Sequence, residues 1–140
     1  MSYASATSVS VEKTEGEIKA VLRRYGATAM ASFEGPQYAV IAFEMNDRRI
    51  TMRLPLPDKN SDQFKRTPTK RQVRSADQQM AAWEQACRSR WRGLFLCIKA
   101  KLESVESGIE TFEDAFLAHI QLPNGQTVSD LTRPLSWLKM

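Results

Sequence analysis

An α+β fold is predicted, with an antiparallel three- to five-stranded sheet packed on one long helix and with two shorter helices. Three observations predict it. Apolar residues alternate along residues 27–54, a helical period runs unbroken from Ser75 to Ser107, and turn residues separate the two patterns.

Residues 1–10 are small and polar, without periodicity, and are expected to form a flexible N-terminus. Thr14 and Glu17 make a T-x-x-E capping-box pattern, followed at helical spacing by Ile18, Val21, Leu22 and Tyr25. With Gly26 as the stop, this predicts a first helix of about eleven residues. From Ala27 the period becomes two, and Ala27–Glu34, Gln37–Met45 and Arg48–Leu54 read as strands divided by Gly35-Pro36 and Asn46-Asp47. A two-residue turn at Asn46-Asp47 fixes the register: Phe43 faces Ile50, Ile41 faces Met52 and Ala39 faces Leu54, all on one apolar face. The other face receives Tyr38, Val40, Ala42 and Glu44 against Arg49, Thr51 and Arg53.

Pro55 and Pro57 end the sheet, and the stretch DKNSDQFKRTPTKRQVR that follows has no apolar period. It reads as a loop of about eighteen residues, a length that in a compact domain is usually functional or mobile. Ser75, with Gln78, caps the long helix. Met80, Trp83, Cys87, Trp91, Leu94, Phe95, Ile98, Leu102 and Val105 fall on one stripe of it. Gly108 stops this helix, and Thr111 with Asp114 caps a shorter one through Phe112, Phe116 and Leu117. In HIQLPNGQTV, Asn-Gly between two extended runs signals a hairpin. The organisation expected is therefore a single domain over residues 11–132, with an apolar tail at 133–140 whose Leu135, Trp137 and Leu138 need a surface to cover.

The chain has 140 residues, 42% hydrophobic and 26% charged, ordinary values for one globular domain. It shows no signal-peptide pattern and no apolar run approaching the roughly 18 residues of a membrane span, so a cytoplasmic protein without membrane contact is expected. Cys87 and Cys97 lie ten residues apart in the long helix. That offset is about 15 Å along the axis, beyond disulfide reach, so both read as thiols. With one histidine and no C-x-x-C pair, neither a protein-only metal site nor a cofactor is expected.

Charge is segregated along the chain. Residues 1–47 carry 4 basic and 6 acidic side chains, residues 48–101 carry 14 and 4, and residues 102–140 carry 2 and 6, giving net charges of −2, +10 and −4. A basic middle between acidic ends points to a polyanionic or acidic partner, or to ends that fold back and neutralise it.

His119 is the sole imidazole available as a base, and it reads as a helix-terminal residue. Glu103/Glu106 and Glu110/Glu113/Asp114 read as solvated faces and caps. No G-x-G-x-x-G, Walker-type loop or H-E-x-x-H occurs, so no enzyme is predicted.

The sharpest functional candidate is FKRTPTKRQVR, where Lys65, Arg66, Lys70, Arg71 and Arg74 fall within ten residues. This composition suits phosphate contacts, which supply affinity and salt dependence without sequence reading. Arg88 and Arg92 extend the candidate set; with Lys99 they lie near one flank of the long helix's apolar stripe while Arg90 and Lys101 lie near the other, and snorkelling explains part of this placement. Opposite the apolar stripe runs one of small residues: Ala82, Ala86, Ser89, Gly93, Ala100 and Ser104, interrupted by Leu96. Something is expected to pack there: the first helix, the apolar tail with Trp137, or a second copy of the chain as a homodimer. On the outer sheet face, Tyr38 with Arg49 and Arg53 resembles a surface on which single-stranded nucleic acid stacks, or else a half-exposed face with a Glu44–Arg49 pair.

Over TPTKRQ and the stretch WEQACRSRWRGLFLCIKAKLESVESGIETFEDAFLAHIQLPNGQTV, the chain resembles a family of small uncharacterised proteins of tailed bacteriophages and prophages. The likeness covers about residues 8–132 and leaves out the Leu135–Met140 tail. It brings no activity and no binding residues. It implies a phage protein acting inside a bacterial host cell, in genome handling or in countering host defence. Two readings follow. The first is a nucleic-acid-binding accessory protein of the replication or recombination type. The second is an anti-defence inhibitor, for example of anti-CRISPR type, that docks on a host protein complex.

Overall fold

The computed structural model describes residues 4–134. Helix α1 spans Val11–Arg24. Its cap is Ser10, whose Oγ accepts from the Lys13 amide at 3.1 Å. The expected box at Thr14 and Glu17 is corrected. Ser10 offers the same cap chemistry one turn earlier, so Thr14 lies inside the helix, fully buried, and Glu17 turns to Arg92. Ile18, Val21 and Leu22 face inward. Gly26, at φ 108°, ends the helix in a conformation closed to most other residues, and the Ala27 amide returns to the Leu22 carbonyl at 3.0 Å.

Strands β1 (Ala29–Glu34), β2 (Tyr38–Met45) and β3 (Arg48–Pro55) form one antiparallel sheet in chain order. Phe43 faces Ile50, Ile41 faces Met52 and Ala39 faces Leu54, the register that the alternation predicts. The turn uses Asn46 and Asp47 at φ 57° and 60°, the paired left-handed geometry whose twist matches two antiparallel strands. All six facing residues are buried.

Helix α2 covers Ala76–Glu106 and closes over that apolar face. Ser75 and Gln78 exchange both bonds of a capping box, at 3.2 and 2.9 Å. Cys87, Trp91, Leu94, Phe95, Ile98 and Leu102 join α1 and the inner sheet face in a single core cluster. Met80, at the open end of the stripe, is exposed.

Beyond Gly108, α3 (Phe112–Phe116) is capped by Thr111 and inserts Phe112 and Phe116 beneath β2. The Phe116 ring meets Phe43 edge-on at 5.7 Å and Phe112 edge-on at 4.9 Å. Edge-to-face pairs of this kind contribute about 0.5–1.5 kcal/mol each beyond burial. A 3-10 turn, Leu117–His119, then leads to Ile120, which bridges to Ile50, while the Gln121 amide donates to the Arg49 carbonyl at 2.8 Å. The Asn-Gly signal marks a real reversal, closed by the Leu122 amide on the Gln126 carbonyl at 2.7 Å. Its second arm is not a strand. After one bridge between Gln121 and Thr127, Thr127 and Asp130 form a capping box that starts α4, Val128–Thr132.

Residues 4–10, expected to be frayed, hold a 3-10 turn at Ala4–Ala6 that packs on α2, and Thr7 is buried.

Burial, reinforced by the Lys101 charge, pulls the His119 imidazole below its ordinary value of 6.5. The unfolded chain therefore takes up this proton more readily than the fold does. The contribution is fully present above pH 6.5 and is lost as pH falls below it. Melting temperatures at about pH 7.5 and about pH 5.5 should show a smaller acid-side loss in His119→Gln than in the native chain. Equal losses would remove His119 from the linkage.

Candidate nucleic-acid interface

The basic segment after β3 is not the structureless loop its composition predicts. Leu56 is buried, and its amide donates to the Gln37 carbonyl at 2.9 Å. The Trp83 indole Nε1–H donates to the Pro57 carbonyl at 2.8 Å, tying the loop root to α2. Ser61 caps a 3-10 turn, Asp62–Phe64, that drives Phe64 to 5% exposure. A lone phenylalanine in a polar run has no period to reveal it, which is why this anchor is invisible to pattern reading.

Past Phe64 the chain doubles back as a small knuckle. Arg66 bridges to Val73, and the Arg74 amide donates to the Lys65 carbonyl at 2.8 Å. Thr67 closes the tip: its amide reaches the Gln72 carbonyl at 2.9 Å, and its Oγ1 accepts from the Gln72 amide at 3.0 Å. Arg71 sits at the tip with φ 55°. The base is held by Gln79, whose Nε2 donates to the Arg74 carbonyl at 3.0 Å.

Among the described residues, this scaffold leaves its cations largely unneutralised. Arg66 Nη1 donates to the Arg71 carbonyl at 3.1 Å, and Arg74 Nη1 to the Phe64 carbonyl at 3.4 Å. Carbonyls fix the side chains without cancelling charge. Lys65 meets Asp62 at 3.0 Å, a surface pair that adds little stability and yields readily to a competing anion. Lys70 and Arg71 are exposed at the tip.

The two helix cations do not extend this surface. Arg88 lies thirteen residues beyond Ser75. That is about 20 Å along the axis. Its guanidinium donates to Gln85 Oε1 at 2.6 and 3.1 Å. Arg92 is corrected outright: it is 9% exposed, its Nη1 bonds Glu17 at 2.9 Å, and its guanidinium lies 4.5 Å over the Phe95 ring. It joins α1 to α2 and offers no charge to a surface phosphate.

On the small-residue face, Ala82, Ala86, Ser89 and Gly93 are half-buried. Part of the cover is the chain's own Ala4–Ala6 turn, with Gln85 Nε2 donating to the Thr7 carbonyl at 2.8 Å, an occupant the sequence did not suggest. A Cβ at Gly93 would meet nothing within 4 Å, so no close approach explains that glycine. Trp137 lies outside the described residues.

The outer sheet face gains a residue that the sequence reading passed over. Phe33, 57% exposed, brings its ring to 5.7 Å from Tyr38, and Arg53 lies 4.8 Å over the Tyr38 ring. Extending the hairpin register through Gly35-Pro36 would have found it, since Phe33 is one strand over and diagonal to Tyr38. Arg49 is tied to Glu44 at 2.7 Å, the cross-strand pair that the register expects.

A cleft of about 710 Å³ opens between the Gly35–Gln37 turn and α2, lined among others by Glu34, Asp58, Trp83, Cys87 and Arg88. Burial, with Glu34 and Glu84 nearby, pushes the Cys87 thiol up, which makes it a poor nucleophile. His119, beside Lys101, is placed about 20 Å further along α2 and shares no site with it.

Trp83→Phe removes the bond at the loop root and leaves the Pro57 carbonyl without its indole donor. A destabilisation of about 1 kcal/mol is expected in urea unfolding. An unchanged midpoint would show that the loop is held without it.

Comparison with family models, with curated proteins and with solved structures finds no match to this chain.

Proposed function

We propose that this chain binds nucleic acid through the knuckle at residues 65–74. The observation that carries the reading is the clustering of five cations, Lys65, Arg66, Lys70, Arg71 and Arg74, on a hydrogen-bonded reversal, with Arg66 and Arg74 held by backbone carbonyls and, among the described residues, one carboxylate, Asp62, as ion-pair partner. A preordered cationic projection spends little entropy on meeting a phosphate backbone, and guanidinium forks match phosphate oxygens. Such contacts give affinity without base reading. In the phage setting that the resemblance implies, the chain would act as an accessory factor in genome handling.

Fluorescence anisotropy with labelled DNA tests this. Binding is expected at about 50 mM salt and should weaken steeply as salt rises, because each neutralised phosphate releases counterions. Lys70→Ala and Arg71→Ala should each reduce the salt slope by about one. Absence of binding at low salt would sink the reading. In that event, a host protein captured from nuclease-treated lysate would favour the inhibitor class.

A further inference from the structure

Phe33 and Arg53 lie in line across the three strands, with Tyr38 set diagonally to both. Phe33 stands opposite Val40, one step from Tyr38, and Val40 stands opposite Arg53. Their side chains share the outer face, turned away from the core. Tyr38 pairs with Pro55, so the row lies at the end of the sheet from which the basic loop departs. The turn beneath the rings is built for them. A Cβ at Gly35 would come within 3.0 Å of Tyr38 Cε1 and 3.4 Å of Phe33 Cε1, so glycine lets both rings settle against the backbone.

An exposed aromatic ring on a sheet carries a solvation cost that a core residue avoids, and this one is backed by a second ring and a guanidinium. The one carboxylate on this face at the facing strand positions, Glu44, is already engaged by Arg49. The face therefore combines an open π surface with positive charge.

We infer that the Phe33–Tyr38–Arg53 row is a stacking platform for an unpaired base, so that the substrate class is single-stranded nucleic acid. The inference rests on the nucleic-acid reading for its phosphate contacts, and it adds the part that meets the bases. An unpaired base offers both π faces. In a duplex those faces are stacked on neighbouring pairs, so the platform discriminates against it. Phe33 supplies the free ring, Tyr38 supports it, and Arg53 sits where a neighbouring phosphate or base carbonyl would fall.

The test compares, on the full chain, a labelled oligothymidylate of about twenty nucleotides, an abasic strand of the same length, and a duplex of the same length. Oligothymidylate should bind at least about five-fold more tightly than the abasic strand, and Phe33→Ala should remove that difference while leaving abasic binding and the salt slope unchanged. Phe33→Leu, which keeps apolar bulk without a π face, should behave like Phe33→Ala. Melting curves check that both variants fold.

If all three polymers bind equally, or if Phe33→Leu binds as the native chain does, stacking is overturned and the knuckle reading stands. If oligothymidylate is preferred but charge reversal at Lys70 and Arg71 changes nothing, the knuckle reading fails and the platform stands. If no polymer binds, both are overturned. Capture of a host polypeptide that depends on Phe33, with no polymer preference, would also overturn the platform.

Discussion

The packing of the α2 apolar stripe against the inner sheet face governs this molecule. The sheet has only three strands, and a sheet that small draws its stability from burying a hydrophobic face, here against a helix. Trp91 and Ile98, at 1% and 0% exposure, sit at the middle of the stripe, with Phe43 and Phe116 completing the buried volume. Loss of one such aromatic to alanine costs about 3–5 kcal/mol, a large part of the stability of any small domain. Polar atoms go under with the apolar ones, and Thr14 Oγ1 and Trp91 Nε1 have no hydrogen-bond partner among the described residues. Each costs about 1–3 kcal/mol, and surrounding burial must offset it.

Because the stripe fixes α2, it also fixes what α2 carries at its N-terminus. The capping box at Ser75, the Gln79 contact and the Trp83 contact hold the basic segment at three points on the first two turns of the helix. Phe64 adds a fourth anchor by burial. A segment whose composition resembles that of disordered chains is thus shaped from its ends, with neutral carbonyls rather than carboxylates restraining the guanidinium groups of Arg66 and Arg74. Charge and order coexist because the restraints do not neutralise.

Much of the fold was legible. The alternation along Gln37–Leu54 and the Asn-Asp turn determined a register that holds pair for pair, and the Ser75–Ser107 helix has the caps its ends suggest. The departures share one cause: isolated residues whose environment comes from distant chain. Ser10 takes the cap, and Thr14 lies buried inside α1 instead. Arg92 looks like any flanking cation until α1 brings Glu17 to it. Phe64 lacks neighbours in phase and does not announce itself, whereas Phe33 emerges only when the register is carried on into β1. The basic residues of the loop could be named from sequence, but not the knuckle that presents them, which depends on backbone bonds such as Thr67 to Gln72.

Ile120 and Gln121 have a consequence beyond closing the fold. By bonding to β3 at Arg49 and Ile50 they occupy the start of one margin of the sheet, while no strand among the described residues pairs with the outer edge of β1. A polypeptide that extends the sheet at that edge, in recognition or in aggregation, would template on the six residues Ala29–Glu34. Glu34 places a charge at the end of that template, and Pro36 just beyond it cannot donate a ladder bond. Growth from the β1 edge is therefore limited to one short strand that carries its own stop.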